Sequence, residues 1–173
     1  MEQLKKGAPI LVVGAVCLTV FFLVQREQPA TMPTISPSGQ PMLPTKIVTF
    51  MSTRFMNNTE HPKSPTVVAE VAMTPQQEEA GLSGRASLQE GAGMLFHFTP
   101  PRVVGFWMKD MKFSIDMLFV DETGEIVTIE SSVAPQSYPT VYRPLRAVSV
   151  VLELPAGYAK TNSIAVGDKI VVQ

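Results

Sequence analysis

The pattern of apolar and polar positions divides most of the chain into three parts. Residues 7–24 read GAPILVVGAVCLTVFFLV and contain no charged residue. At 1.5 Å per residue, a helix of this length would reach about 27 Å, close to the roughly 30 Å hydrocarbon core of a bilayer. Residues 25–45 form a proline-rich stretch, and short apolar runs with strand-like spacing fill residues 46–173. The pattern therefore predicts a transmembrane helix, a linker and one folded domain.

The charges beside the apolar run predict its orientation. Residues 1–6 are a short tail that contains Lys5 and Lys6, and such charges favour a cytoplasmic location for that end. We therefore expect a single-pass cell-membrane protein with an uncleaved signal-anchor and an extracytoplasmic globular domain. A cleaved signal peptide is the alternative, but residues 7–24 are long for its apolar region and no A-x-A site follows. Five prolines in residues 25–45 favour an extended spacer.

The folded part is predicted to consist mainly of short strands. β-branched and aromatic runs bounded by turn-forming residues indicate them. The predicted strands are residues 46–51, 66–72, 93–98, 102–109, 115–121, 125–131, 147–154 and 169–172. Thr74 and Pro75 are a typical helix start, and a second short helix is expected near residues 156–161. The prediction is a mainly-β (α+β), small barrel-like domain of seven or eight strands with two short helices.

Composition narrows the classes of function. The chain has 14 basic and 15 acidic residues, a near-balance that argues against nucleic-acid binding. A single cysteine excludes an internal disulfide, and with only two histidines a conventional zinc site is not expected. We predict neither a metal nor a cofactor.

Two carboxylates in predicted strands are the main chemical candidates. By strand alternation, Asp116 and Glu153 each point to a side occupied by apolar residues. Burying an isolated charge costs several kcal/mol, so each acid should be paired, hydrogen-bonded or protonated. Lys109, Arg85 and Arg146 are possible partners, and Trp107 could wall a small pocket. The alternative interpretation is a salt bridge that closes the end of the barrel.

Three functional hypotheses follow. The first is a non-catalytic module that binds a small ligand or an envelope protein through Arg85, Trp107, Lys109, Asp116 and Glu153. The second is an acid/base enzyme that uses Asp116 or Glu153, with Lys109 positioning an anion. The third is copper(I) binding by thioethers, although methionine also fills gaps in apolar cores. The methionines of the domain are at positions 51, 56, 73, 94, 108, 111 and 117.

Several short motifs together resemble a known family. They are Gly81-Leu82, Arg85, GMLF at 93–96, FWMK at 106–109, DMLFVD at 116–121, Gly124, LELPAG at 152–157 and Gly167-Asp168. This order is similar to the domain of unknown function 192, over nearly all of residues 46–173. The resemblance implies a small β-barrel-type domain, often exported or membrane-anchored in prokaryotes, without an established activity. Glu78 stands where the family pattern T-P-x-x-R has arginine, and Asp110 replaces the asparagine of W-M-K-N.

Overall fold

One seven-stranded sheet dominates the computed structural model, which describes residues 42–53 and 64–173. Its strands are β1 (Thr45–Met51), β2 (Thr66–Ala72), β3 (Ala92–Arg102), β4 (Ile115–Val120), β5 (Ile126–Val133), β6 (Val148–Pro155) and β7 (Lys169–Val172). The connections contain helix α1 (Pro75–Ala80), a single 3-10 turn (Pro135–Ser137) and helix α2 (Tyr158–Thr161). Within the described residues, the mainly-β class with two short helices is confirmed.

The strands follow the order β5-β4-β6-β3-β2-β1-β7 across the sheet. Neighbouring strands are antiparallel except for β2 and β3, which are parallel and are connected through α1. β4, β6 and β3 therefore lie side by side near the middle of the sheet. β3 contributes Phe96, Phe98 and Arg102 to the lining of the candidate site described below, and β6 contributes Glu153.

Backbone hydrogen bonds join the β5 side of the sheet to the β7 side. The Ile126 amide donates to the Asp168 carbonyl, and the Ile170 amide donates to the Gly124 carbonyl, both at 2.8 Å. Gly124 has a φ of +81°, and a Cβ there would lie 2.8 Å from the Ile170 carbonyl oxygen. Glycine is therefore required at this turn, and the contact gives the sheet its barrel-like closure.

Both faces of the sheet are covered by apolar side chains. All six residues of β4 are buried, which agrees with its nearly continuous apolar sequence. Leu118 and Val120 belong to a first apolar cluster on one face of the sheet, whereas Met117 and Phe119 belong to a second apolar cluster on the other face. On β3, β4 and β6, the side chains of the second cluster are shielded from solvent by segments outside the sheet. Residues 103–114, which we call the covering loop, provide much of this shielding.

The predicted strand at residues 102–109 is wrong. β3 continues through Pro100 and Pro101 to Arg102, and its pairing with β6 is irregular between His97 and Arg102. The covering loop then makes one isolated bridge, between Phe106 and Tyr142. The prolines lack the amide hydrogens that a regular ladder needs. Beyond them Met108 is buried, and Val104, Phe106, Met111 and Phe113 are partly buried against the second cluster.

The predicted cytoplasmic tail (1–6), transmembrane helix (7–24) and most of the linker (25–45) lie outside the described residues. Within 42–53 and 64–173, no helix has the length and apolar character to cross a membrane. The last linker residues already contact the domain, since the Pro44 carbonyl accepts a hydrogen bond from Val71 and Leu43 packs against the second cluster.

Candidate functional site

A cavity of about 360 Å³ lies between α1, β3 and the covering loop, and Glu153 of β6 also lines it. Small-molecule sites in proteins have volumes from about 300 Å³ upward. The lining residues include apolar and aromatic side chains and four charged ones. They are Pro75, Glu78, Glu79, Ala80, Gly81, Leu82, Ser83, Phe96, Phe98, Arg102, Val104, Gly105, Phe106, Trp107, Met111 and Glu153. We call this space the Glu153 cavity.

Aromatic side chains form the walls of the Glu153 cavity. The ring of Phe106 meets Phe96 edge-on at a centroid distance of 4.9 Å, and it meets Phe119 in the same manner at 6.0 Å. Trp107, the one tryptophan of the chain, remains 45% exposed beside them. Such edge-to-face contacts fix ring positions, so the wall around Phe106 is pre-formed.

A close approach of two loops positions these aromatic residues. The Phe106 amide donates to the Tyr142 carbonyl at 2.9 Å, and the reciprocal bond is 2.8 Å. Beside this bridge, a Cβ at Gly105 would lie 2.7 Å from Val141 Cγ1 and 3.0 Å from Arg143 Nη1. The missing side chain at Gly105 therefore lets the covering loop lie against residues 141–143.

Glu153 provides the buried polar group of the cavity. Its cross-strand neighbours in β3 and β4 are Met94 and Met117, and the residue is 5% exposed. Its Oε2 atom is buried and has no hydrogen-bond partner. Burial raises the pKa of Glu153 to about 8, although the nearby charge of Arg85 favours ionisation. Most of these carboxyls are therefore protonated at pH 7.

Arg85 lies near Glu153, but its hydrogen bonds go elsewhere. Its guanidinium forms a two-pronged ion pair with Glu70, with N–O distances of 2.6 and 2.8 Å. Hydrogen bonding to Glu70 raises the pKa of Arg85 further. Arg85 therefore acts on Glu153 through its charge and is held outside the lining of the Glu153 cavity.

Helix α1 brings two more carboxylates to the cavity. Thr74 Oγ1 accepts a hydrogen bond from the Gln77 amide, and Gln77 Oε1 accepts one from the Thr74 amide, so a capping box fixes the helix start. Glu78 and Glu79 then line the cavity. Glu78 contacts Arg102 at 3.5 Å, an exposed pair of small energetic value. The departure from the family's expected arginine thus places a negative side chain here.

Lys109 and Asp116 are not brought to the Glu153 cavity. Lys109 is exposed, and its carbonyl accepts a hydrogen bond from Ser83 Oγ at 2.8 Å. Asp116 is fully buried and accepts three backbone N–H bonds, from Ser132, Gly157 and Ala159, at 2.7–2.9 Å. These bonds hold α2 and the end of β5 against β4. Asp116 therefore has a structural role, and its carboxylate lies on the opposite face of the sheet from Glu153.

Of the five predicted site residues, Glu153 and Trp107 line the same cavity, and Arg85 lies near Glu153 but outside the lining. Sequence reasoning predicted Trp107 as a wall of the pocket, but it missed the partnership of Arg85 with Glu70 and the walls formed by Phe96, Phe98 and Phe106. The only available signal was the clustering of aromatic residues at 96–98 and 106–107. The sequence predicted that each buried acid would be paired, hydrogen-bonded or protonated. Asp116 accepts hydrogen bonds from backbone amides, whereas Glu153 is mostly protonated at neutral pH.

The methionines considered for copper(I) divide into several environments. Met94, Met108 and Met117 are each at most 1% exposed within the second apolar cluster, and Met111 packs against it. Met51 and Met73 are exposed, and Met56 lies outside the described residues. The buried sulfurs lie among aromatic and aliphatic side chains, a setting in which methionine packs a core.

A second cavity, of about 480 Å³, lies against the first apolar cluster and contains Lys46, His97, Asp121 and Glu122 among its lining. Partial burial opposes ionisation of Asp121, but hydrogen bonds from Thr123 and Arg146 lower its pKa. Its carboxylate is therefore already satisfied. Within the described residues, the buried side-chain atoms without a partner are Ser137 Oγ and Glu153 Oε2, and neither residue lines this second cavity.

Comparison with protein families gives a clear result. The sequence profile of DUF192, described as "Uncharacterized ACR", matches residues 56–172. The chain belongs to the DUF192 family. Of the two departures from the family pattern, Glu78 lies in α1, and Asp110 has a φ of +58°, a conformation in which both aspartate and asparagine are enriched.

Two crystal structures resemble this DUF192 member. One is a protein from Sinorhizobium meliloti 1021 described as "a putative transcription regulator", with 30% identity and a TM-score of 0.67, covering 78% of this chain and 98% of that one. The other is a protein of unknown function from Novosphingobium aromaticivorans DSM 12444, with 28% identity and a TM-score of 0.66, covering 82% and 94%. No functionally curated protein matches the chain.

Proposed function

We propose that the domain is a non-catalytic module that binds a small organic ligand in the Glu153 cavity. The observation that carries the proposal is Glu153 Oε2, a buried polar atom without a hydrogen-bond partner beside aromatic walls. Leaving such an atom unpaired costs about 1–3 kcal/mol, so a ligand that pairs with it gains affinity. Apolar walls with few convergent polar groups are the usual composition of a small-molecule site.

Acid/base catalysis is the second candidate, and the raised pKa of Glu153 favours it, because a general acid works best near its own pKa. The other two residues of the predicted acid/base site, Asp116 and Lys109, do not support catalysis. Asp116 lies on the opposite face of the sheet, and Lys109 is not among the cavity's lining residues. Glu153 therefore lacks the anion-positioning lysine that the predicted reaction needs, and its protonated carboxyl is better suited to binding.

The proposal includes the expected location of the domain outside the cytoplasm, anchored in the cell membrane through residues 7–24. Its support is the uncharged apolar run and the two preceding lysines. A reporter enzyme that is active only outside the cytoplasm, fused after Gln173, should be active. An inactive reporter together with activity of a cytoplasmic reporter at the same place would contradict this part of the proposal.

Trp107 makes ligand entry directly measurable, since no other tryptophan contributes to the emission. The full chain would be titrated with a panel of small aromatic and aliphatic compounds that includes cationic, neutral and anionic members. Binding in the Glu153 cavity should give a saturable change in emission with at least one compound.

Two adjacent valines supply a blocked variant and its control. Val104 lines the cavity, whereas Val103 is 57% exposed and does not. Val104→Phe should abolish the saturable response, and Val103→Phe should preserve it. The absence of any saturable response, or an equal response in both variants, would contradict the proposed function.

A further inference from the structure

We propose that the Glu153 cavity selects an organic ammonium ion with a small apolar body, whose N–H groups donate to Glu153. This inference rests on the proposed function and names its class of ligand. Three independent features support it: the charges in the lining, the aromatic faces and the unpartnered oxygen.

The charges in the lining disfavour an anion. Glu78, Glu79 and Glu153 are acidic, and Arg102 is the single basic residue of the lining. Arg102 is engaged with Glu78 at 3.5 Å and is not directed at a free anion site. A bound anion would therefore face an excess of carboxyl groups, whereas a cation would be attracted by them.

The aromatic faces are suited to a cation as well. The guanidinium carbon of Arg102 lies 4.6 Å from the centroid of Phe98, so one cation already rests on an aromatic wall of this cavity. Phe106, which is partly buried, and Trp107, which is 45% exposed, offer further aromatic surface in the same space. The negative electrostatic face of such rings attracts ammonium groups.

Glu153 completes the site as the counter-ion. Its Oε2 atom needs a donor, which an ammonium N–H supplies and a quaternary ammonium lacks. On binding, the carboxylic proton leaves for solvent, and the resulting carboxylate pairs with the ammonium. At pH 7 binding should release up to one proton for each ligand bound, because burial keeps most of the free carboxyl protonated.

Few charged groups face Glu153 from its surroundings. Arg85, paired with Glu70, lies nearby, and Glu78, Glu79 and Arg102 lie around the cavity. The cross-strand neighbours of Glu153 in β3 and β4 are methionines, and the covering loop contributes uncharged residues to the lining. The titration that accompanies binding should therefore belong mainly to Glu153.

Three probes of similar shape test this inference: 2-phenylethylammonium, 2-phenylethanol and 3-phenylpropionate. Their binding to the full chain would be followed by Trp107 emission and by calorimetry in buffers of different ionisation enthalpy. We expect the ammonium to bind at least about tenfold more tightly than the alcohol, and the carboxylate not to bind. The ammonium affinity should rise about tenfold from pH 6 to pH 7 and level off above pH 8.

Glu153→Gln is the decisive variant. It should reduce the ammonium affinity to that of the alcohol and abolish both the pH dependence and the proton release. Retained binding of the alcohol would show that the variant is folded. Equal, pH-independent binding of ammonium and alcohol by the wild type would overturn the ammonium inference and leave the proposed function standing. No response to these probes or to the wider panel would overturn both.

Discussion

Replacing Glu153 by glutamine should stabilise the domain at alkaline pH and remove much of its loss of stability as pH rises. The ordinary pKa of the carboxyl is 4.5, and burial raises it to about 8 in the folded domain. Below pH 4.5 the group is protonated in the folded and unfolded states alike. Between pH 4.5 and 8 the unfolded chain ionises while the folded domain retains its proton, so stability falls as pH rises.

The size of this effect follows from the two pKa values. Each pKa unit between the two states is equivalent to about 1.4 kcal/mol, so ionisation of Glu153 should lower the free energy of unfolding by on the order of 5 kcal/mol across this range. That is a large part of the roughly 5–15 kcal/mol that stabilises a typical domain. Glutamine has the shape of the protonated acid and carries no charge, so it avoids the loss.

Urea unfolding of the full chain at pH values from 5 to 9, followed by Trp107 emission, measures this difference. Wild type and Glu153→Gln should differ by about 1 kcal/mol or less at pH 5. The variant should become more stable by several kcal/mol at pH 9. Glu122→Gln removes an exposed carboxylate from the β4–β5 turn and should follow the wild type. A difference between wild type and Glu153→Gln that stays constant with pH would contradict a raised pKa of Glu153 in the folded domain.

Three further substitutions test other parts of the structure. Asp116→Asn should lower the free energy of unfolding by about 3 kcal/mol or more in denaturant titrations, because it weakens three charge-assisted hydrogen bonds; a loss below about 1 kcal/mol would contradict that role. Arg85→Met should raise the pKa of Glu153 further in a carboxyl NMR titration, since the Arg85 charge favours ionisation; an unchanged or lower value would argue against the coupling. Gly124→Ala should lower the melting temperature more than Gly84→Ala: both glycines have positive φ, but only the Gly124 Cβ meets a backbone oxygen. Equal losses would contradict the closure described for the sheet.

Much of the sheet could be predicted because its strands are short apolar runs bounded by turn residues. The last strand, Lys169–Val172, agrees with its prediction at both ends, and β2 does as well. The error at residues 102–109 has a physical cause. Apolar sequence indicates that a segment is buried, but it does not distinguish a strand in a ladder from a loop that packs over a sheet.

The geometry of the site depended on register, which a single sequence does not specify. Strand alternation predicted that Asp116 and Glu153 would both be buried, and both are. In the sheet, Asp116 is opposite Leu154, whereas Glu153 is opposite Met117. Opposite residues share a face, so the two carboxylates point to different sides. A shift of one residue would have placed them together.

Carbon-13 NMR of the glutamate side-chain carboxyls can show whether Glu153 is protonated in the free domain and ionises when a cation binds. The Glu153 resonance, assigned with Glu153→Gln, would be followed in a pH titration with and without 2-phenylethylammonium. We expect a pKa near 8 in the free protein and a clear decrease when the ammonium is bound. A pKa near the ordinary 4.5 in the free protein, or one that saturating ammonium leaves unchanged, would contradict a buried, protonated Glu153 that pairs with a cation.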